Sequence, residues 1–130
     1  MYLSKIMQIF GAFGAFGAGL GVVLGAFAAH GLKAKISPEQ LAIFDTGVRY
    51  QMIHSLALIL VVCLQGRLDE FWLKGAGFGF ILGILIFSGS LYLLVFTHTK
   101  TWGAVTPIGG IFFILAWAAL FMGFVRTSSL

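Results

Sequence analysis

The segment that decides the fold is residues 75–99, GAGFGFILGILIFSGSLYLLVFTHT, which contains no Asp, Glu, Lys or Arg. At about 1.5 Å per residue, a helix of this length is longer than the roughly 30 Å hydrocarbon core of a bilayer. Residues 6–32 and 101–125 are free of these charged side chains in the same way. These three segments are therefore predicted to be membrane-spanning helices.

A fourth span carries a weaker signal, because residues 50–66 contain several polar side chains. Its start is nevertheless well marked by SPEQ at residues 37–40, which offers a hydroxyl N-cap, Pro at the first helical position and a capping-box Gln. We expect this helix to begin near Pro38 in the membrane interface. It would carry Asp45 and Arg49 as an i,i+4 pair in which the two charges shield each other.

The sequence predicts one all-α domain over residues 1–130, an integral membrane protein with four transmembrane helices in an up-down antiparallel bundle, because short links join the spans. The expected spans are residues 6–30, 42–64, 75–97 and 107–126. Helix 1 is expected to end near His30, with Gly31 in the left-handed conformation. Helix 4 is expected to begin at Thr106-Pro107, where Pro would occupy the first helical position.

The composition agrees with a membrane location, since 60% of the residues are hydrophobic and 9% are charged. So few charges cannot cover the surface of a soluble domain of this size, which excludes an ordinary soluble enzyme. The net charge of +4 comes from scattered basic residues, so no nucleic-acid partner is expected. The expected partners are the lipid bilayer and either further copies of this chain or another membrane protein.

The expected localisation is the cell inner membrane, crossed several times. The basic residues divide evenly, with Lys5, Arg67, Lys74 and Arg126 on one side and Lys33, Lys35, Arg49 and Lys100 on the other. The positive-inside rule therefore does not decide the orientation of the protein in the membrane. The amino terminus, together with the position of Arg49 inside a helix, favours both termini in the cytoplasm.

Glycines recur every four residues in two of the predicted helices. They are Gly17, Gly21 and Gly25 in helix 1 and Gly75, Gly79 and Gly83 in helix 3. In lipid, such stripes let two backbones approach closely and gain dispersion contacts. The stripes are predicted packing surfaces, either for a helix of the same chain or for another protein.

Function is expected where polar side chains lie within the hydrocarbon, because each of them needs a partner or a wet cavity. The candidate intramembrane cluster is Gln51, His54, Ser55, Ser88, Ser90, Tyr92 and Thr106. The three members on helix 2 share one face. His54 lies about 20 Å inside Arg67, close to the membrane midplane.

A second candidate cluster lies at one membrane face and consists of His30, Asp45, Arg49, Tyr50 and His98. No metal or other cofactor is expected, because the histidines lack HxxxH or HxH spacing. No nucleophile, base and acid set is visible either. An enzyme is therefore the less favoured interpretation.

Four blocks of the chain, in order, resemble a known family. They are GAFAAHGL at 25–32, YQMIHSLAL at 50–58, FSGSLY at 87–92 and GAVTPIGG at 103–110. The blocks are similar to the signatures of small bacterial inner-membrane proteins catalogued as domain of unknown function four hundred and twenty-three, which has small eukaryotic transmembrane relatives. The resemblance covers essentially the whole chain. It implies a four-helix integral membrane protein and brings no established activity, substrate or cofactor.

Two functions stay open. In the first, helices 2 and 3 line a pocket that binds a small molecule, a lipid or a proton, or lets it permeate, with His54 as acceptor and Ser88, Ser90 and Tyr92 as its hydrogen-bond partners. In the second, the protein is a structural or assembly partner that docks through its glycine stripes. A cavity that reaches His54 would favour the first function, whereas a His54 that is sealed, fully bonded and packed by Phe would exclude it.

Overall fold

The computed structural model describes residues 2–128 and consists of four long helices joined by short connections. Helix α1 is Lys5–Leu32, α2 is Pro38–Cys63, α3 is Glu70–Thr97 and α4 is Thr101–Arg126. Each of the four is long and apolar enough to cross a membrane. The predicted all-α membrane fold is confirmed.

Consecutive helices are antiparallel neighbours. Near the start of α1, Gly14 lies against Leu58 of α2, whereas near its end Gly25 lies against Val48. The other helix pairs are reversed in the same way. Their contacts include Gly47 with Tyr92 across α2 and α3, and Gly75 with Ala119 and Gly83 with Phe113 across α3 and α4.

Helix α2 begins with a capping box. The Ser37 hydroxyl accepts a hydrogen bond from the Gln40 backbone N–H at 3.2 Å, and the Gln40 side-chain oxygen accepts one from the Ser37 N–H at 3.4 Å. Pro38 occupies the first helical position, where its missing N–H is not needed. The signal for this start is local, because all of its contacts lie within four residues.

Helix α4 begins at Thr101, so the predicted start at Thr106-Pro107 is wrong. Pro107 lies inside the helix, about two turns from its first residue. Because Pro has no N–H, the carbonyl of Gly103 lacks its usual helical donor. Membrane helices tolerate such a proline, since local adjustments and neighbouring groups satisfy the freed backbone.

Helix α3 begins five residues before the expected span. Asp69 caps the first turn with its side chain, and Glu70 forms an i,i+4 salt bridge with Lys74 at 3.2 Å. The charge-free segment therefore starts one turn after the helix does. Within residues 2–128 this is the only ion pair, so the predicted pairing of Asp45 with Arg49 is wrong; both side chains are exposed.

Two π-helical turns interrupt the helices, one over Ala28–Leu32 at the end of α1 and one over Ile84–Ser88 within α3. The first turn replaces the predicted stop at Gly31. Gly31 is not left-handed, because the positive-φ residues of the described chain are Gly66 and His98. A π turn holds one residue more than an α turn and is frequent at functional sites.

The main hydrophobic core lies in the half of the molecule that contains the starts of α1 and α3. There the Phe10 ring of α1 meets Phe78 of α3 edge to face, with centroids 5.2 Å apart, and covers Gly77. Beyond this contact the two helices separate, while both stay packed on α2. This divergence leaves space between α1 and α3.

Both glycine stripes lie against helices of the same chain. A Cβ atom on Gly21 would come 2.9 Å from Cγ of Met52 on α2, and one on Gly79 would come 2.7 Å from Cβ of Ala116 on α4. The other contacts are Gly17 with Ser55, Gly25 with Val48, Gly75 with Ala119 and Gly83 with Phe113. Gly17, Gly21, Gly79 and Gly83 are therefore buried against α2 or α4 of this chain, whereas Gly25 is partly exposed and Gly75 is exposed.

Candidate functional site

The predicted intramembrane cluster divides into three separate groups. His54 lies between α2 and α4. Ser90 and Thr106 lie between α3 and α4. The third group, formed by Gln51, Ser55, Ser88 and Tyr92, lies where α2 meets α1 and α3.

His54 is 4% exposed and has both ring nitrogens hydrogen-bonded. Its Nδ1 lies 2.7 Å from the Tyr50 carbonyl oxygen, and its Nε2 accepts the indole N–H of Trp117 at 3.1 Å. A carbonyl can only accept and an indole can only donate, so the proton is on Nδ1 and the imidazole is neutral. His54 has no hydrogen-bonding capacity left for a ligand.

Aromatic rings close over His54. The Phe113 ring stacks on the imidazole with centroids 3.6 Å apart, and Phe80 lies 5.7 Å away. The expected hydrogen bonds from His54 to the hydroxyls of α3 are wrong, because within residues 2–128 its partners are Tyr50 and Trp117. His54 thus meets the condition stated above, and the first function, a binding or permeation pocket with His54 as acceptor, is excluded.

Ser90 and Thr106 tie α3 to α4. Their hydroxyl oxygens lie 2.5 Å apart. Each hydroxyl also has a carbonyl oxygen within reach, that of Phe87 at 2.9 Å for Ser90 and that of Trp102 at 3.3 Å for Thr106. This pair therefore acts as an interhelical link.

A groove of about 260 Å³ opens between α1 and α3. Its lining residues are Phe13, Phe16, Gly17 and Leu20 of α1, Gln51 of α2, and Ile84, Leu85, Ser88, Gly89 and Tyr92 of α3. Phe16 is 72% exposed and Leu85 is 56% exposed, so the walls open towards the lipid. We call this feature the α1–α3 groove.

Polar side chains form the floor of the groove, and two of them are almost fully buried, with Gln51 4% exposed and Ser88 1% exposed. Gln51 Nε2 donates to the Gly17 carbonyl of α1 at 2.8 Å, and Gln51 Oε1 accepts the Tyr92 hydroxyl of α3 at 2.7 Å. The Ser88 hydroxyl donates to the Gly47 carbonyl of α2 at 2.7 Å. One amide and two hydroxyls therefore connect three helices beneath an apolar opening.

Ser55 lies beside this floor, one turn after Gln51 on α2. Its side chain is fully buried, and within residues 2–128 its Oγ has no hydrogen-bond partner. A Cβ atom on Gly17 would overlap this oxygen, so the position accepts only glycine without movement. Burying a hydroxyl without a partner costs free energy, which makes Ser55 an unexplained polar group.

The floor lies within the lengths of the spanning helices. Gln51 is about 18 Å along α2 from its end at Cys63, and Gly17 is about as far along α1 from Lys5. The exposed Arg49 lies two residues before Gln51, about 3 Å along the axis of α2. Among the described residues, no charged side chain lines the groove.

The predicted membrane-face cluster is not assembled. His30, Asp45 and Arg49 are exposed. Tyr50 instead stacks on Phe87, with centroids 4.5 Å apart, and joins the aromatic side chains around His54. These residues do not form one site.

His98, the last member of that cluster, borders a separate cavity of about 350 Å³ at the membrane face. It ends α3 in the left-handed conformation, with φ of 55°, and its Nδ1 lies 2.9 Å from Gln40 Nε2. His98 and Lys100, which also lines the cavity, are exposed. Water can therefore satisfy their polar groups without a ligand.

Sequence reasoning missed the walls of the groove and the role of Trp117. The wall residues are apolar like most of both helices, so no pattern distinguishes them. Gly89 gives no signal either, because only the structure shows that a Cβ atom there would meet nothing within 4 Å. Trp117 lies on a helix whose rotation the sequence does not fix.

Comparison with known proteins places the chain among bacterial membrane proteins. The model of the family described as "Protein of unknown function (DUF423)" matches residues 24–110. The UPF0382 membrane protein YwdK of Bacillus subtilis (strain 168) is 42% identical over 121 residues, which cover 92% of this chain and 98% of the relative. The UPF0382 inner membrane protein YgdD of Escherichia coli (strain K12) is 38% identical over 124 residues, 95% of this chain and 92% of the relative. No solved structure matches the chain at a significant level.

The family comparison agrees with the architecture. The relatives are named membrane proteins, and the chain has four helices that can cross a bilayer. The resemblance seen in the four sequence blocks is confirmed. The chain therefore belongs to the DUF423 family, membrane proteins of unknown function whose relatives include inner membrane proteins of bacteria.

Proposed function

We propose that this protein binds a lipid-soluble amphiphile in the α1–α3 groove. The apolar part of the ligand lies between the groove walls, and an uncharged polar group reaches Gln51 and Tyr92. One observation carries this proposal: a groove that opens to lipid has a floor of hydrogen-bonding side chains.

The walls suit a ligand that arrives from within the bilayer. Phe16 and Leu85 are largely exposed and flank the opening, so an apolar molecule can enter sideways without crossing water. A volume of about 260 Å³ is just below the roughly 300–1,000 Å³ typical of pockets for whole drug-sized ligands. The groove therefore holds one end of the molecule while the rest stays in lipid.

The surroundings of the floor limit the chemistry of the ligand. A charged group within the hydrocarbon is costly, and the described lining residues offer it no counter-charge. The amphiphile that we propose therefore combines an apolar body with a neutral hydrogen-bonding group.

Proton transfer and assembly have less support. Both nitrogens of His54 already have partners, which leaves a proton pathway without its central residue. The glycine stripes lie against α2 and α4, so a docking role would have to use other surfaces. Binding in the groove instead uses a surface that the packing of the four helices leaves uncovered.

Photolabelling in lipid vesicles tests this proposal. Two diazirine-bearing probes, a long-chain alcohol and a long-chain ketone, are each added to the reconstituted protein, and labelled peptides are identified by mass spectrometry. We expect label from at least one probe on residues 13–20 and 84–92.

Two glycine variants make the test specific. Gly89 lines the groove, and a Cβ atom there has no neighbour within 4 Å, so Gly89→Leu adds a side chain at the groove. A Cβ atom on Gly19 of α1 has no neighbour within 4 Å either, and Gly19 does not line the groove. We expect Gly89→Leu to reduce labelling about tenfold and Gly19→Leu to leave it unchanged, with equal thermal unfolding of both. Equal labelling of the two variants by both probes would overturn the proposal.

Orientation and assembly state are also proposals. The basic residues are evenly divided between the two ends of the helices, and we retain the prediction that both termini are cytoplasmic. A C-terminal reporter fusion that is active only in one compartment decides the orientation. Cross-linking in native membranes decides whether the protein forms a homo-oligomer or joins another membrane protein.

A further inference from the structure

We infer that the polar group of the ligand is a hydroxyl, so that the α1–α3 groove takes a long-chain alcohol in preference to a ketone, quinone or ether. This inference rests on the proposed function and names the ligand class for the same groove. It follows from the hydrogen bonds that the floor has already formed and from those that it can still form.

The donor hydrogens of the floor are largely used within the protein. One N–H of Gln51 is donated to the Gly17 carbonyl, and the Tyr92 O–H is donated to Gln51 Oε1. The Ser88 O–H is donated to the Gly47 carbonyl. Each of these bonds joins two helices, so the donors that would attract a carbonyl ligand instead hold the groove together.

The capacity that remains includes an acceptor as well as a donor. The Tyr92 oxygen keeps a lone pair, and the Gln51 amide keeps its second N–H. An alcohol matches this set, because its O–H can donate to the Tyr92 oxygen while its own oxygen accepts from Gln51. A carbonyl or an ether can only accept, so it forms the bond from Gln51 and none with the Tyr92 oxygen.

The unpartnered hydroxyl of Ser55 does not change this balance. Its Oγ lies against the backbone of Gly17 and is fully buried, and Ser55 is not among the residues that line the groove. It cannot supply the missing donor to a carbonyl ligand unless α1 moves. The groove as it stands therefore discriminates through Tyr92 and Gln51.

Three ligands that share one isoprenoid chain test the inference. Farnesol, farnesyl methyl ether and farnesal are used to compete with whichever photoactivatable probe labels the groove of the reconstituted protein. We expect farnesol to compete at a concentration about tenfold lower than the ether or the aldehyde. Equal competition by all three would overturn the hydroxyl assignment.

The two glycine variants separate this failure from a failure of the proposed function. If the equal competition is lost in Gly89→Leu and kept in Gly19→Leu, the proposal that the groove binds a ligand is still supported. Competition that is the same in both glycine variants would overturn the proposed function as well.

Discussion

The two flanks of α2 carry polar side chains one turn apart, and their surroundings differ. On the α4 flank, the ring of His54 is stacked on Phe113 and has both nitrogens bonded. On the α1 flank, Gln51 bonds to two other helices and still borders a groove of about 260 Å³. A polar residue inside the membrane is thus not by itself the sign of a binding site.

The difference comes from the side chains that the neighbouring helix presents. Helix α4 offers Phe113 and Trp117, which fill the space around the imidazole. Helix α1 presents Gly14, Gly17 and Gly21 to α2 and then separates from α3. Large rings close one flank, while small residues and diverging helices leave the other open.

The largest expected effect is on the α4 flank. A Cβ atom on Gly109 would come 2.7 Å from Cα of Phe87, and backbone cannot give way as a side chain can. We expect Gly109→Val to lower the free energy of unfolding by about 3 kcal/mol, measured by circular dichroism in mixed micelles of increasing dodecyl sulfate content. The adjacent Gly110→Val is the control, since its Cβ would lie 3.9 Å from Phe87. Equal losses in the two variants would contradict the close approach of α3 and α4.

His54→Ala removes the ring at the centre of the sealed flank. We expect a loss of about 2–3 kcal/mol in the free energy of unfolding, because a cavity forms and the Trp117 N–H loses its acceptor. Photolabelling of the groove should stay unchanged, because His54 lies on the other flank. A variant that unfolds normally but no longer labels would show that the two flanks are coupled.

Gln51→Leu is expected to have the opposite effects to His54→Ala, with a small loss of stability and a large loss of labelling. The hydrogen bonds to Gly17 and from Tyr92 are lost, and we expect the free energy of unfolding to fall by only about 1 kcal/mol, since bonds between membrane helices are individually weak. Labelling of the groove should fall about tenfold. The comparison between the flanks would fail if Gln51→Leu unfolded more easily than His54→Ala and labelled as well as the unchanged protein.

The smallest effect is expected at Ser55. Its hydroxyl has no partner among residues 2–128, so Ser55→Ala removes a group that is buried at a cost. We expect a change within about 0.5 kcal/mol in the free energy of unfolding, in the stabilising direction. A loss above 1 kcal/mol would mean that the hydroxyl has a partner, such as a water or a ligand group.

The parts of the fold that depend on local chemistry could be predicted from the sequence. The start of α2 follows from contacts between Ser37 and Gln40, and the four apolar helices follow from segments that lack charge. The start of α4 could not be predicted, because Thr106-Pro107 has the pattern of a helix start and lies inside the helix. A local pattern does not show whether the chain before it is already helical.

The site could be predicted only in part, because it depends on how the helices are rotated and tilted. Gln51, Ser88 and Tyr92 follow from their polarity. The choice of Trp117 as the partner of His54 depends on the rotation of α4, and the groove depends on the angle between α1 and α3. Neither quantity is encoded in the polarity of a single helix.

The π-helical turn at Ile84–Ser88 makes the groove depend on the backbone conformation of α3 as well as on the identity of its residues. Converting this turn to a regular α-helix without removing a residue would rotate every later residue of α3 by about 100° relative to the earlier ones. Tyr92 would then turn away from Gln51, and Ser90 away from Thr106. Deleting one residue from the turn would instead leave Tyr92 and Ser90 near their present directions, because the π turn already holds one residue more than an α turn.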